Sequence, residues 1–320
     1  MISGHQRFFP LAVVALTVIG HATPHATAEG LAAARIDKQA LSQRVDALLL
    51  GHEAAVAGLW VGGATSDAWF ALNADRPLAT ASAIKTFYLV ELFSAYRRTL
   101  DNALPGADAI LQDESQPAIS HFSAEQRDEI RRALRGASVR HVGQVMTGKA
   151  PASNTVYNAA ANLVTAVLGG PEALTQLIQK RDPAFKAVSV RRYMLRDRNS
   201  DGDNEAPVIA FATLYQQLAS RRLAGVDDET IEAIRTALVT KTDKALGKSF
   251  LKDGNLVSDL LAEVRAGWWE TARGPMVYVV MTAQPAPGAD RESSSQRLRR
   301  TTNALMEALI RAGWASSKDN

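Results

Sequence analysis

Residues 80–85 read Thr-Ala-Ser-Ala-Ile-Lys, and residues 86–93 continue as Thr-Phe-Tyr-Leu-Val-Glu-Leu-Phe. The apolar positions of this stretch recur at helical spacing, which predicts a helix that begins near Ser82. Residues three apart share one face of a helix, so the amine of Lys85 is expected beside the Ser82 hydroxyl. A serine becomes a good nucleophile when a base takes its proton, and a lysine can be that base when burial or nearby charge lowers its pKa. The same pattern also occurs by chance on surface helices, where the serine caps the helix and the lysine is solvated. Other features of the sequence are needed to distinguish a catalytic pair from such a helix.

Composition limits the classes of function. The 320 residues are 47% hydrophobic, which is enough for one large domain or two lobes. The net charge of +3 comes without a dense basic block, which argues against a nucleic-acid partner. The chain has no cysteine, so disulfides and thiolate chemistry are excluded.

The amino-terminal segment has the pattern of a secretory signal peptide. Basic residues precede an apolar stretch at 8–19 that is too short to span a bilayer as a mature helix, and residues 26–28 read Ala-Thr-Ala. We expect cleavage after Ala28 and a periplasmic or secreted mature chain, residues 29–320, without a membrane span. An uncleaved anchor is the alternative.

The predicted elements follow one order: helix, two strands, an all-helical part, three strands, helix. The expected strands lie at 55–61, at 68–72, from Ser249, at 261–269 and at 276–283. We predict an α/β (α+β) fold in which these strands form a five-stranded antiparallel sheet flanked by the terminal helices. The sheet lobe comprises 29–80 and 245–320, and an all-helical lobe comprises 81–244. Ser82 then lies where the lobes meet, a frequent place for a cleft.

These features resemble the class A β-lactamase and penicillin-binding-protein superfamily of serine acyl-enzymes, whose signatures are S-x-x-K, S-D-N and K-T-G. The resemblance spans roughly residues 35–309. It implies that Ser82 is the nucleophile and that Lys85 helps to deprotonate it. It also implies a small-molecule β-lactam or peptide-like substrate, no cofactor, no metal and a monomer.

The second signature is partly kept. Residues 158–174 resemble the helix that begins at S-D-N and ends in L-G-G-P-E-A. This alignment implies that Asn158 is the catalytic asparagine and that Tyr157 lies at the substrate. Val156 stands where the family has a serine that passes a proton to the leaving group. A valine cannot do so, which leaves Ser153 or Tyr157 as the source of a hydroxyl.

The third signature resembles Lys252-Asp253-Gly254, on a strand expected to run beside the nucleophile. The resemblance implies that Lys252 adds positive charge to the cleft and that Gly254 contacts the substrate. Residues 241–243 read Lys-Thr-Asp but are expected to end a helix. The backbone N–H groups of Ser82 and Asn255 are implied as the oxyanion hole.

Asp253 replaces a hydroxyl residue that helps the family to hold a substrate carboxylate, and its own carboxylate would repel that group. Arg265, on the next strand, is expected to offset this by binding the substrate carboxylate. A solvated strand charge is the alternative for Arg265.

The glutamate that activates the deacylating water in class A enzymes has no counterpart here. It would fall near Tyr193, where the sequence has no carboxylate, and Glu205 lies too close to the next helix. Residues 197–203 resemble the start of a calcium loop but lack its final glutamate, which favours an ordinary charged loop.

Three functions follow from these observations. The favoured one is an exported β-lactamase-type hydrolase, and the second is a penicillin-binding or D-alanyl-D-alanine peptidase-like relative that needs no class A glutamate. The third is a catalytically weakened domain that only binds a ligand, which the departures at Val156 and Asp253 motivate.

Overall fold

The computed structural model describes residues 36–52 and 55–316. The predicted signal peptide and its cleavage site lie outside these residues, and export stays a prediction. Within the described part of the chain, no helix is both long and apolar enough to cross a membrane.

The described residues form eleven α-helices, nine strands and three short 3₁₀ helices. In chain order these are α1 (Lys38–Leu49), β1 (Val56–Gly63), β2 (Ala68–Leu72), β3 (Pro77–Ala79), a 3₁₀ turn (Ala81–Ile84), α2 (Lys85–Ala95), α3 (Ala107–Gln112), α4 (Ala124–Leu134), α5 (Val139–Thr147), α6 (Asn154–Val167), α7 (Pro171–Arg181), a 3₁₀ turn (Pro183–Phe185), α8 (Arg198–Asp201), β4 (Glu205–Pro207), α9 (Val208–Ala219), α10 (Asp228–Thr236), β5 (Val239–Asp243), β6 (Gly247–Leu251), β7 (Gly254–Val257), β8 (Leu260–Thr271), β9 (Gly274–Pro285), a 3₁₀ turn (Gly288–Asp290) and α11 (Arg291–Ser316).

The main sheet is antiparallel throughout, in the order β2-β1-β9-β8-β6-β5, with β7 also paired to β8. The predicted mixed fold with an antiparallel sheet is therefore confirmed. The predicted strand number is wrong, because the sheet has seven strands and not five. Strands β6 and β7 pair with successive halves of β8 and are interrupted at Lys252 and Asp253, and β5 adds an edge strand.

The placement of residues 241–243 at the end of a helix is also wrong. They belong to β5, which forms a hairpin with β6 and pairs Lys241 with Ser249. The β-branched residues Val239, Thr240 and Thr242 favour this extended conformation. Strand β5 falls inside the range predicted for the all-helical lobe.

The sheet separates two apolar clusters because side chains alternate between its faces. On one face, Val264 and Trp268 of β8 pack with the large cluster of helices that includes α2, α6 and α9. On the other face, Val280 of β9 packs with Leu305 and Leu309 of α11, and α1 completes this smaller cluster. The terminal helices thus cover one face of the sheet and the helical lobe covers the other.

Helix α2 runs through the centre of the large cluster. Its residues Lys85–Phe93 are all buried, as expected for a helix that is apolar on nearly every face. The one buried carboxylate on this helix, Glu91, forms a bidentate pair with Arg181 of α7, at 2.6 and 2.8 Å. This pair fixes the helix that follows Ser82 within the lobe.

Candidate active site

The turn that carries Ser82 is held by the main chain of a distant loop. The backbone N–H and the Oγ1 of Thr80 both donate to the carbonyl oxygen of Asn204, at 3.0 and 2.9 Å. Ala81 has a φ of 47°, a conformation that costs a residue with a side chain about 1–3 kcal/mol. Such strain persists when the surroundings impose it, and here it places the partly exposed Ser82 at the wall of a cleft.

Lys85 lies at the base of this turn, fully buried. Its backbone N–H donates to the carbonyl of Ser82, so the two side chains are one helical turn apart, as predicted. Its Nζ donates to Oδ1 of Asn158 at 2.9 Å and to the carbonyl oxygen of Tyr157 at 3.3 Å. Burial first, and the positive charge of Lys252 second, hold the pKa of Lys85 well below its usual value. This environment favours the neutral amine, which is the form that can accept a proton.

The orientation of Asn158 is fixed from within α6. Its Nδ2 donates to the carbonyl oxygen of Asn154 at 2.9 Å and to Oδ1 of Asn154 at 3.0 Å, so its own Oδ1 faces Lys85. Asn154 lines the cleft together with Ser82 and Asn158. Sequence reasoning missed Asn154, although two asparagines four residues apart share a helix face.

The start of α6 decides which residue faces the two lysines. Ser153 caps the helix by accepting from the N–H of Val156 at 3.2 Å, and Val156 is buried in the helical lobe. The next residue, Tyr157, places its ring over Nζ of Lys85, 3.2 Å from the ring centre. Nζ of Lys252 lies 5.3 Å from the same ring centre. The ring of Tyr157 thus lies near both lysines, whereas Val156, which is aligned with the family's serine, is buried in the helical lobe.

Strand β7 lies directly against the nucleophile's turn. A Cβ added to Gly254 would lie 2.7 Å from the carbonyl oxygen of Thr80 and 2.8 Å from the amide nitrogen of Ala83, so only glycine fits. The N–H of Lys252 donates to Ala266 across the sheet at 3.1 Å. Since hydrogen-bonded pairs alternate along an antiparallel ladder, the N–H of Asn255 points away from β8 and toward the open edge. This direction fits the predicted oxyanion-hole donor.

The two charged residues beside Gly254 have different surroundings. Lys252 is buried, and its Nζ donates to the carbonyl oxygen of Asp253 at 2.7 Å. Asp253 is partly exposed; burial raises the pKa of its carboxyl, and the nearby charge of Arg265 opposes that rise. Oδ2 of Asp253 lies 3.9 Å from Nε of Arg265.

The guanidinium of Arg265 is held within the sheet and by α11. It contacts Glu263 at 2.9 Å, Asn303 at 2.8 Å and the carbonyl oxygen of Val264 at 2.9 Å. Glu263 is itself buried and also accepts from the side chain of Asn255. A substrate carboxylate would therefore have to compete with these partners for Arg265, and its predicted role in binding stays a prediction.

The loop before β4 closes one side of the cleft, and two arginines clamp it. Asp203 is buried, accepts a hydrogen bond from Arg192 at 2.8 Å and forms an ion pair with Arg198 at 2.9 Å. Asp197 caps the short helix α8 by accepting from the N–H of Asn199 at 3.0 Å. These carboxylates are thus used within the loop, and across residues 36–52 and 55–316 no cluster of three or more metal-binding side chains is present.

Met194 lies in this loop, one residue beyond Tyr193, where the water-activating glutamate was sought. Its main chain is held by Asn162 of α6, which accepts from the N–H at 2.5 Å and donates to the carbonyl oxygen at 3.1 Å. His121 Nε2 also lies 3.0 Å from that carbonyl oxygen. The Met194 side chain is part of the cleft wall, so this position contributes a thioether and not a carboxylate.

The cleft between these elements has a volume of about 630 Å³, within the range of pockets that bind small molecules. Ser82, Asn158, Met194 and Asn255 contribute to its wall. The structure thus brings the candidate nucleophile and Asn255 to one cavity, and the buried amine of Lys85 is hydrogen-bonded to Asn158 of its wall.

Comparisons with known proteins identify the family and the fold. The model of the beta-lactamase enzyme family matches residues 40–309. No curated protein sequence matches the chain significantly. Among solved structures, the β-lactamase from Sphaerobacter thermophilus DSM 20745 is 18% identical with a TM-score of 0.59, and the alignment covers 86% of this chain and 98% of that one.

Two further structures show the same likeness. The TLA-1 extended-spectrum β-lactamase is 12% identical with a TM-score of 0.61, covering 85% of this chain and 99% of that one. PBP-A is 17% identical with a TM-score of 0.58, covering 85% of this chain and 97% of that one. At these identities the likeness to solved structures shows the fold alone.

Proposed function

Because the chain belongs to the beta-lactamase enzyme family, we propose that it is a serine hydrolase that opens the β-lactam amide through an acyl-enzyme on Ser82. One observation carries this proposal. The amine of Lys85 is buried one helical turn from Ser82, is hydrogen-bonded to Asn158, and has a pKa well below its usual value.

In the proposed acylation, neutral Lys85 takes the proton from Ser82 as the serine oxygen bonds to the carbonyl carbon of the lactam. The backbone N–H groups of Ser82 and Asn255 stabilise the negative charge on the carbonyl oxygen, a contribution of about 10²–10³ in rate for one such donor. The lactam C–N bond then breaks, and the leaving nitrogen takes up the proton that Lys85 accepted from Ser82, which returns Lys85 to its neutral form. Attack by water on the ester releases the product and restores Ser82.

The surroundings of Met194 favour a second candidate, a penicillin-binding or D-alanyl-D-alanine peptidase-like hydrolase. A thioether cannot accept a proton from water, so it cannot replace a general base. Of the carboxylates that line the cleft, Asp203 is paired with two arginines, Asp197 caps α8, and Asp259 pairs with Arg291 at 3.0 Å. In this candidate the acyl-enzyme forms as above and is released slowly.

We further propose that the mature chain acts after export, in the periplasm or outside the cell, as a monomer. The apolar stretch at 8–19 and the Ala-Thr-Ala site before Glu29 support this localisation.

Intact-protein mass spectrometry of residues 29–320 tests the function and separates the two candidates. The protein is mixed with a penicillin and, separately, with a cephalosporin, and the adduct and the hydrolysed product are followed over time. A transient adduct with accumulating product supports the β-lactamase. A stable adduct supports the penicillin-binding candidate. The Ser82→Ala variant is the control, and absence of any adduct on the wild-type protein would refute both.

A further inference from the structure

Two amines share the candidate site. Lys85 is fully buried and Lys252 nearly so, and Tyr157 is within contact range of both. Because Tyr157 lies close to both amines, it is placed to fix the position of Lys85, the amine that serves as base.

The ring of Tyr157 makes the closer of its two contacts with Lys85. Nζ of Lys85 is 3.2 Å from the ring centre, and Nζ of Lys252 is 5.3 Å from it. The face of an aromatic ring carries negative electrostatic potential and attracts an ammonium group within about 6 Å. The carbonyl oxygen of Tyr157 also accepts from Lys85 at 3.3 Å, so this one residue contacts the amine with both its main chain and its ring.

The contact uses the ring face and not the hydroxyl. A phenol oxygen lies in the ring plane, so a nitrogen directly over the ring centre is about 4 Å from it, beyond hydrogen-bonding range. The ring itself packs beside Gly148, where a Cβ would lie 3.7 Å from Cε2 of the tyrosine. The neighbouring side chain of Val156 is buried in the helical lobe.

We propose that Tyr157 is a positioning residue, whose ring face fixes the Lys85 amine against Asn158, one helical turn from Ser82. The expected effects on the acylation rate rest on the proposed function, whereas the position of the ring does not depend on it. The phenol oxygen has no part in the proton transfer.

The proposal makes opposite predictions for two variants. Tyr157→Phe keeps the ring face, so the acylation rate and its pH profile should stay within about threefold of the wild type. The ring face favours the protonated form of Lys85, and Tyr157→Leu removes that contribution. Burial and the charge of Lys252 still favour the neutral amine, so the pKa of Lys85 should fall. The acid limb of the acylation profile should then move to lower pH by about half a unit or more, and the rate should fall about tenfold as the amine loses its position.

The experiment measures acylation by a chromogenic cephalosporin across pH for the wild type, Tyr157→Phe and Tyr157→Leu. Tyr157→Met replaces the leucine variant if that variant does not fold. Val156→Ser restores a serine at the aligned position and should leave the rate no higher, because this side chain lies in the core. A Tyr157→Phe variant that loses acylation at least tenfold would assign the role to the hydroxyl and overturn the proposal.

A second measurement separates this proposal from the proposed function. The titration of Lys85 is followed by NMR of the ¹³C-labelled lysine in each variant, without any substrate. A pKa that falls in Tyr157→Leu and is unchanged in Tyr157→Phe supports the ring's role even if no β-lactam acylates the protein. An unchanged pKa in Tyr157→Leu would refute it.

Discussion

Replacing Gly254 with alanine adds one methyl group where β7 contacts the turn that carries Ser82. The added Cβ would lie 2.7 Å from the carbonyl oxygen of Thr80 and 2.8 Å from the amide nitrogen of Ala83. Both are backbone atoms of the strained turn that precedes α2, so no flexible side chain can move aside. Either β7 or the turn has to shift by several tenths of an ångström to restore normal contact distances.

The Gly254→Ala substitution should lower both the stability of the protein and its acylation rate. Overpacking of this kind destabilises a protein by about 1–3 kcal/mol, which lowers the melting temperature by a few degrees in a chain of this size. The activity loss should be larger, because the displaced groups are the N–H donors of Ser82 and Asn255. A misplacement of about 1 Å can cost about 10²-fold in rate.

The assay compares the acylation rate with a fluorescent penicillin and the melting temperature by circular dichroism. Gly288→Ala is the matched control, because a Cβ at Gly288 meets no atom within 4 Å. The control should behave as the wild type, and Gly254→Ala should acylate about 10²-fold more slowly while staying folded. A Gly254→Ala protein with the wild-type acylation rate would refute the placement of the oxyanion hole between β7 and the turn.

Three other substitutions test the surroundings of the site. Lys85→Met should slow acylation by orders of magnitude and raise the melting temperature, because it removes a buried amine. The folded protein holds the pKa of Lys85 below the ordinary value of 10.5. At pH values between that lowered pKa and 10.5, the unfolded chain therefore binds more protons than the folded protein. The stability of the wild type should therefore rise with pH across this window, and denaturant titrations of Lys85→Met should lack that rise. Asp253→Thr should lower the KM for penicillins several-fold by removing the charge that repels their carboxylate, and an unchanged KM would place that carboxylate elsewhere. Met194→Glu should shorten the lifetime of the acyl-enzyme about tenfold or more by supplying a base for water, which time-resolved mass spectrometry measures against Met194→Gln.

The central part of the site could be predicted because it depends on local periodicity. The spacing of Ser82 and Lys85, followed by an apolar run, predicted a helix that begins near Ser82, and the structure has a 3₁₀ turn there that leads into the buried helix α2. The resemblance to the family's helix placed Asn158 through its distance from the glycine pair that follows α6. In the structure this asparagine contacts Lys85. Short-range spacing carries this information because a helix has a fixed rise and rotation per residue.

The direction of Tyr157 could not be predicted in the same way. It depends on the residue at which α6 begins, and the Ser153 cap starts the helix four residues before the asparagine that was aligned. Because the helix begins there, the side chain of Val156 points into the core and the ring of Tyr157 lies over Lys85. The cap itself could have been read from the sequence, since serine is strongly preferred at that position.

The other differences between the predictions and the structure come from contacts between residues that are distant in the sequence. The edge strand β5 has only five residues, and a short β-branched run can be either a helix end or a strand until its partner is known. The clamp of Arg192 and Arg198 on Asp203, and the ties of Arg265 to Glu263, join residues whose proximity is set by loop and sheet geometry. Composition alone showed only a charged loop and a charged strand.

The central claim is that Ser82 is the acylated residue, and mapping the modification site tests it most directly. The wild-type protein is treated with a penicillin, quenched in acid, digested, and sequenced by tandem mass spectrometry. The account predicts that the penicilloyl mass lies on Ser82, and that Lys85→Met, which keeps the serine, forms this adduct orders of magnitude more slowly. A stable adduct on any other residue, or one that forms equally fast in Lys85→Met, would contradict it.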